Sequence, residues 1–355
     1  MINNMNRPWF DRNETLQIKG VALIFMFVHH FFTVPIWYVS GISYDYMAGA
    51  AALCQQPTKI CVCLFAFLNG YLYRYSSDKS LRGSVRKAWR FLVPFWLVTA
   101  AMIIFAVSPN RYVMTPENVL LELFGMREDV MIFCWYVYFY LIILFLLPGM
   151  DRLLEKRSLP VSIAAGVFLP AAVMILVMSW LNPESTLWEV LDHLRTWLPA
   201  VMSGWIFARY SLFEKMEKGF SRLPVILQGF LCLVMMTVAF FGRWFLPALD
   251  CGPLALHTVN LSGAFNMDVI YAPLFIFALI TLTRMVRLPW KPLEIIGKYS
   301  MYMWYLHCLF FNCTKPVTQI WLFFPRNPVL VLLWGLLMTL GVSVILDTLV
   351  KKIMS

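Results

Sequence analysis

Residues 18–39, IKGVALIFMFVHHFFTVPIWYV, decide what kind of protein this is. The run is almost wholly apolar, and a helix needs about 20 such residues to cross the roughly 30 Å hydrocarbon core of a bilayer. Within it stand two adjacent histidines, His29 and His30. Eleven residue steps separate Lys19 from His30, which in an α-helix puts the imidazole about 16 Å beyond the lysine, near mid-membrane. An ionisable ring at that depth is costly, and it marks a functional site unless it merely hydrogen-bonds a neighbouring helix.

The rest of the chain has the same character. Its 355 residues are 61% hydrophobic and 14% charged, with a mean hydropathy of +0.71, whereas soluble domains carry about 25% charged residues. The expected fold is all-α: a single domain, 1–355, forming a polytopic membrane helical bundle of about ten transmembrane helices. The spans are read at 18–39, 60–73, 91–107, 130–149, 159–181, 189–208, 224–246, 268–283, 295–313 and 328–350. The first is taken as an uncleaved span, because no small-residue cleavage site accompanies it. Asp192, His193 and Arg195, near the start of the sixth, are read as interfacial.

A net charge of +10 would point to nucleic acid only if the cations shared one soluble face. Instead they are scattered between apolar runs. With ten spans, 22 of the 29 Lys and Arg fall on the side of both termini and 7 on the other. The positive-inside rule then makes both termini cytoplasmic in a multi-pass protein of the cell membrane. Cys61-x-Cys63 lacks zinc-site spacing and most of the eight cysteines fall in expected spans, so neither a metal nor a disulfide framework is expected.

Polar features gather in a few of these spans. The basic run at 74–90 sets Arg74, Lys79, Arg82, Arg86, Lys87 and Arg90 against one acid, Asp78, and leads directly into the third span. In the ninth, Ser300, Trp304 and His307 lie on one helix face. The first and ninth spans run in the same direction, so His30 and His307 reach comparable depth. Asn69 is a polar group inside the second span, and Trp135 opens an aromatic stretch in the fourth.

These motifs, in this order, resemble the acyltransferase-3 group of integral membrane acyltransferases, which includes many bacterial polysaccharide O-acetyltransferases. Lys19, ten intervening residues and His30 match that family's first-span pattern, and the match selects His30 over His29. Phe67-Leu68-Asn69-Gly70-Tyr71, Trp135-Tyr136 and IGKYSMYMWYLH (296–307) are similar to its later motifs. Three departures stand out: Lys19 where the family often has arginine, Asn69 for its serine, and Lys87-x-x-Arg90 with Arg86 adjacent for its Arg-x-x-Arg. The resemblance implies an O-acyltransferase that moves an acetyl or other short acyl group from cytoplasmic acyl-CoA to a hydroxyl of an extracytoplasmic glycan, lipid-linked sugar or other envelope acceptor. His30 would be catalytic, supported by His307, Ser300, Asn69, Trp135 and Lys19. Acetyl-CoA, or another acyl-CoA, would be a donor substrate, with no cofactor permanently bound.

The chemistry agrees with this. A hydroxyl is a poor nucleophile at neutral pH, and an imidazole can remove its proton as general base or carry the acyl group itself. Arg86, Lys87 and Arg90 offer fixed cations to an anionic, nucleotide-bearing thioester, although the same residues also act as topology signals. The competing class is a transporter or flippase with a histidine proton relay. Against it stand the lack of internal repeats and the scarcity of deep carboxylates, Asp347 being the one acid well inside a late span.

Overall fold

The computed structural model describes residues 7–33, 53–54, 56–105, 115–246, 248–249, 255–256, 259–260, 265–286, 290–311 and 322–354. Its helices are α1 (Arg12–Thr33), α2 (Ile60–Arg74), α3 (Leu81–Phe105), α4 (Pro116–Leu123), α5 (Tyr136–Leu154), α6 (Leu159–Met178), α7 (Thr186–Arg209), α8 (Leu212–Phe220), α9 (Val225–Phe245), α10 (Asp268–Val286), α11 (Lys291–His307) and α12 (Pro328–Met354). Two short antiparallel pairs, Ala248–Leu249 with Phe265–Asn266 and Ala255–Leu256 with Val259–Asn260, precede α10.

Seven of the described helices, α1, α3, α5, α6, α9, α10 and α12, are long and apolar enough to cross a membrane, and the chain is a multi-pass membrane protein. The other three expected spans are also helices, but they fall short of that standard. α2 has 15 residues and α11 has 17, while α7 carries Glu189, Asp192 and Arg195 in its first half. All three pack largely against protein, where a short or polar helix is tolerated because neighbouring helices, not lipid, surround it.

Several boundaries differ from the sequence reading. α1 starts at Arg12 because Asp11 and Glu14 form a capping box: Glu14 N–H donates to Asp11 Oδ1 and Asp11 N–H to Glu14 Oε2, each at 2.8 Å. His30 lies in the last described turn of α1. Residues 34–39, 106–107 and 312–313, the expected ends of three spans, lie outside the described residues. α3 begins at Leu81, which makes the second half of the basic run its first turns. α6 contains a π-helical turn at Ala164–Phe168, just before Pro170, whose missing N–H and ring forbid the regular bond to residue 166. The fourth span begins at Tyr136, because 130–135 is a loop tied down by side chains. Deep carboxylates are also less scarce than expected: Asp268 and Glu122 are both buried, Asp268 against Arg243.

Two helix crossings set the site. Gly20 faces the Leu293 carbonyl and Gly297 the Leu16 carbonyl, so closely that an added methyl would collide with backbone. Small residues let helix backbones touch in this way, and the contact fixes α1 against α11. The same device holds α2 to α7, with Gly70 on the Val201 carbonyl and Gly204 on that of Phe67.

Candidate functional site

The crossing of α1 and α11 brings the two histidines together. His30 Nδ1 lies 2.8 Å from His307 Nε2, with the rings 4.9 Å apart and 11° from parallel. His307 is fully buried, and its Nδ1 hydrogen-bonds the Trp304 carbonyl. A carbonyl can only accept, so Nδ1 of His307 carries the proton and its Nε2 offers a lone pair. Within a neutral pair, His30 Nδ1–H then donates to His307, and His30 Nε2 is left as the basic nitrogen. This tautomer assignment follows directly from the two hydrogen bonds.

Beside the pair runs a cavity of about 410 Å³ whose wall includes Lys19, His29, His30, Lys59, Asn69, Phe133, Trp135, Tyr136, Trp197, Ser300 and Trp304. It extends along α1 from Lys19 to His30, about 16 Å by helical rise. Asn69 Nδ2 donates to the Tyr136 hydroxyl at 3.0 Å, which leaves the Tyr136 O–H proton for another acceptor. His29 also faces the cavity, but its Nδ1 lies 3.4 Å from Thr58 Oγ1.

Phe133 stacks on His30, with ring centres 4.3 Å apart and planes 19° from parallel. Its backbone has φ +64°, a conformation costly for a bulky residue and therefore enforced by its surroundings. The buried Glu122 holds the loop through Oε1, which accepts from Met131 N–H at 2.8 Å and Val130 N–H at 3.3 Å. Its Oε2 has no hydrogen-bond partner among the described residues, and burial pushes the carboxyl up to about 7. Cys308 Sγ, next to His307, adds a contact to the Ile132 carbonyl at 2.9 Å.

Asp192, His193 and Arg195, read from sequence as interfacial, also brace the aromatic wall. His193 stacks on Trp135 at 4.1 Å and hydrogen-bonds the Tyr138 hydroxyl, while Arg195 pairs with Asp192 at 2.6 Å. Sequence reasoning also missed Lys59, Phe133, Tyr136 and Trp197 on the wall. Tyr136 was visible only as the partner of Trp135.

The basic residues on α3 stand apart. Arg86, Lys87 and Arg90 do not line the cavity, although Phe91 does. Arg86 pairs with Asp78 at 3.8 Å, and Ser80 hydrogen bonds hold that carboxyl below the usual range. Lys87 Nζ donates to Ser76 Oγ at 2.8 Å and to the Asp78 carbonyl at 3.2 Å. Arg90 is exposed and forms no ion pair among the described residues. Among the described residues no cluster of His, Cys, Asp and Glu has the make-up of a metal site.

The pair thus sits inside the helical bundle, with His30 on the cavity wall and His307 buried behind it. The sequence matches the acyltransferase-3 family, described as an acyltransferase domain, over residues 9–348, and the chain belongs to it. It is a membrane-embedded acyltransferase, which sets the transporter reading aside. No curated protein and no solved structure matches it.

Proposed function

We propose that the protein is an O-acyltransferase that takes an acetyl or other short acyl group from acyl-CoA to a hydroxyl of an envelope glycan or lipid-linked sugar. One observation carries this reading: the 2.8 Å bond between His30 and His307, backed by the Trp304 carbonyl, which orients His30 Nε2 as a base. The acceptor hydroxyl gives its proton to Nε2 while its oxygen attacks the thioester carbonyl carbon. The C–S bond then breaks, the CoA sulfur leaves as the thiol by regaining that proton from His30, and an ester remains on the acceptor. Tyr136, whose oxygen already accepts from Asn69, is the donor we assign to the oxyanion.

The cavity suits the long, thin arm of acyl-CoA and not its nucleotide, which would lie beyond the wall near Arg90 and the surrounding cations. Counting the buried α2, α7 and α11 with the seven long helices makes ten spans, and the positive-inside rule then supports cytoplasmic termini and a cytoplasmic donor. The acceptor then arrives from the His30 end, so the acyl group crosses while the nucleotide stays. The test is purified protein in nanodiscs with radiolabelled acetyl-CoA. Thiol release that disappears in His30→Ala supports the reading, and folded protein that never consumes acetyl-CoA overturns it.

A further inference from the structure

The cavity wall holds two charged groups, Lys19 and Lys59, and no carboxylate among its described residues. Lys19 marks one end, and Lys59 belongs to the other. It ends the Pro57–Lys59 turn, whose Thr58 hydroxyl is the group 3.4 Å from His29 Nδ1. The turn is anchored from behind, since Arg243 Nε donates to the Gln56 carbonyl at 3.0 Å. Arg243 itself is buried against Asp268, so this anchor is neutral as a pair. The nearby cations of the same end are likewise matched, Arg195 by Asp192 and Arg127 by Asp129. Lys59 is exposed and forms no ion pair among the described residues.

The same cavity carries a flat apolar surface on its wall. The rings of Trp135 and Trp197 lie 6.1 Å apart and 21° from parallel, and the stacked His193 fixes the Trp135 orientation. Broad indole rings suit the C–H face of a sugar while leaving its hydroxyls to polar partners.

We propose that Lys59, with Trp135 and Trp197, forms an acceptor subsite selecting a sugar that bears an anionic group, a carboxylate or a phosphate. The proposal rests on the transferase reading above. A fixed cation adds charge-assisted hydrogen bonding to an anionic acceptor that a neutral one cannot use, and no carboxylate among the described residues of the wall opposes it. Lys19, about 16 Å from His30 along α1, lies toward the opposite end of the cavity.

The experiment compares kcat/KM in nanodiscs for methyl glucoside, methyl glucuronide and glucose 1-phosphate, with acetyl-CoA as donor. Wild type should favour an anionic acceptor about tenfold, and the favoured one tells carboxylate from phosphate. Lys59→Arg should keep the preference, Lys59→Gln should bring it to about one, and Lys59→Glu should reverse it. A preference for the neutral sugar, no transfer to any of the three, or a preference unmoved in Lys59→Glu overturns the subsite. Hydrolysis of acetyl-CoA without acceptor is measured alongside. If hydrolysis persists and depends on His30 while the preference is absent, the subsite alone fails; if acetyl-CoA is never consumed, the transferase reading fails too.

Discussion

His30 and His307 are 277 residues apart in the chain, yet their ring nitrogens meet at 2.8 Å. The meeting orders the two imidazoles: His307 is fixed by the Trp304 carbonyl, and His30 is fixed by His307. His30→Ala should therefore lower turnover by about 10²- to 10⁴-fold, the range for loss of a general base. His307→Ala should cost about 10- to 100-fold, as for partners that orient a reacting group. His29→Ala should retain most activity, because adjacent helix positions point about 100° apart and His29 is turned toward Thr58. Steady-state kinetics on the three variants decides it, and a dispensable His30 beside an indispensable His307 would exchange the roles.

Phe133 presses its ring on His30 from a left-handed backbone. Phe133→Gly should relieve about 1–2 kcal/mol of strain while removing the stacked ring, so that melting temperature changes little and turnover drops about tenfold, worth about 1.4 kcal/mol at the barrier. If turnover is unchanged, Phe133 is packing and nothing more.

Glu122 makes stability depend on pH. Burial raises its carboxyl from 4.5 to about 7, so the folded protein holds a proton there that the unfolded chain releases. Stability from this group is full below pH 4.5 and is lost as pH rises through about 7. The loss is up to about 3 kcal/mol. Glu122→Gln keeps an acceptor for the Val130 and Met131 N–H groups and removes the titration. Its melting temperature should exceed that of wild type at pH 8, and the gap should close toward pH 5. Parallel curves across that range would contradict the assignment.

How much of this was legible in the sequence depends on whether the signal is local. The apolar runs and the capping box at Asp11 and Glu14 are local, although the box lies upstream of the apolar run and starts α1 six residues before it. The depth match of His30 and His307 followed from two helices running in the same direction, and Gly297 stood in a motif before its contact with Leu16 gave it a purpose. The loop at 130–135 could not be read, since its apolar residues continue into α5 and only the carboxylate of Glu122, folded back from α4, stops them forming helix. Lys59 was one of seven minority cations in a topology count. Only the packing of its turn against Arg243 and His29 gives it a place on the cavity wall.

The last prediction concerns Arg90 and sidedness together. Arg86 is engaged by Asp78, and Lys87 by Ser76 and the Asp78 carbonyl. Arg90 is exposed, has no such partner among the described residues, and precedes Phe91 on the cavity wall. Of these three it is therefore the cation most available to a phosphate group at the proposed donor end. Arg90→Ala should raise the KM for acetyl-CoA by about tenfold with little change in kcat, as expected when binding shared by ground and transition states is lost, and Arg86→Ala should do less. If the proposed ten-span topology holds, with 22 of the 29 cations on the cytoplasmic side, inverted membrane vesicles should consume externally added acetyl-CoA while sealed right-side-out vesicles do not. The opposite pattern would reverse the topology and place the donor at the Lys59 end, where the acceptor subsite could no longer stand.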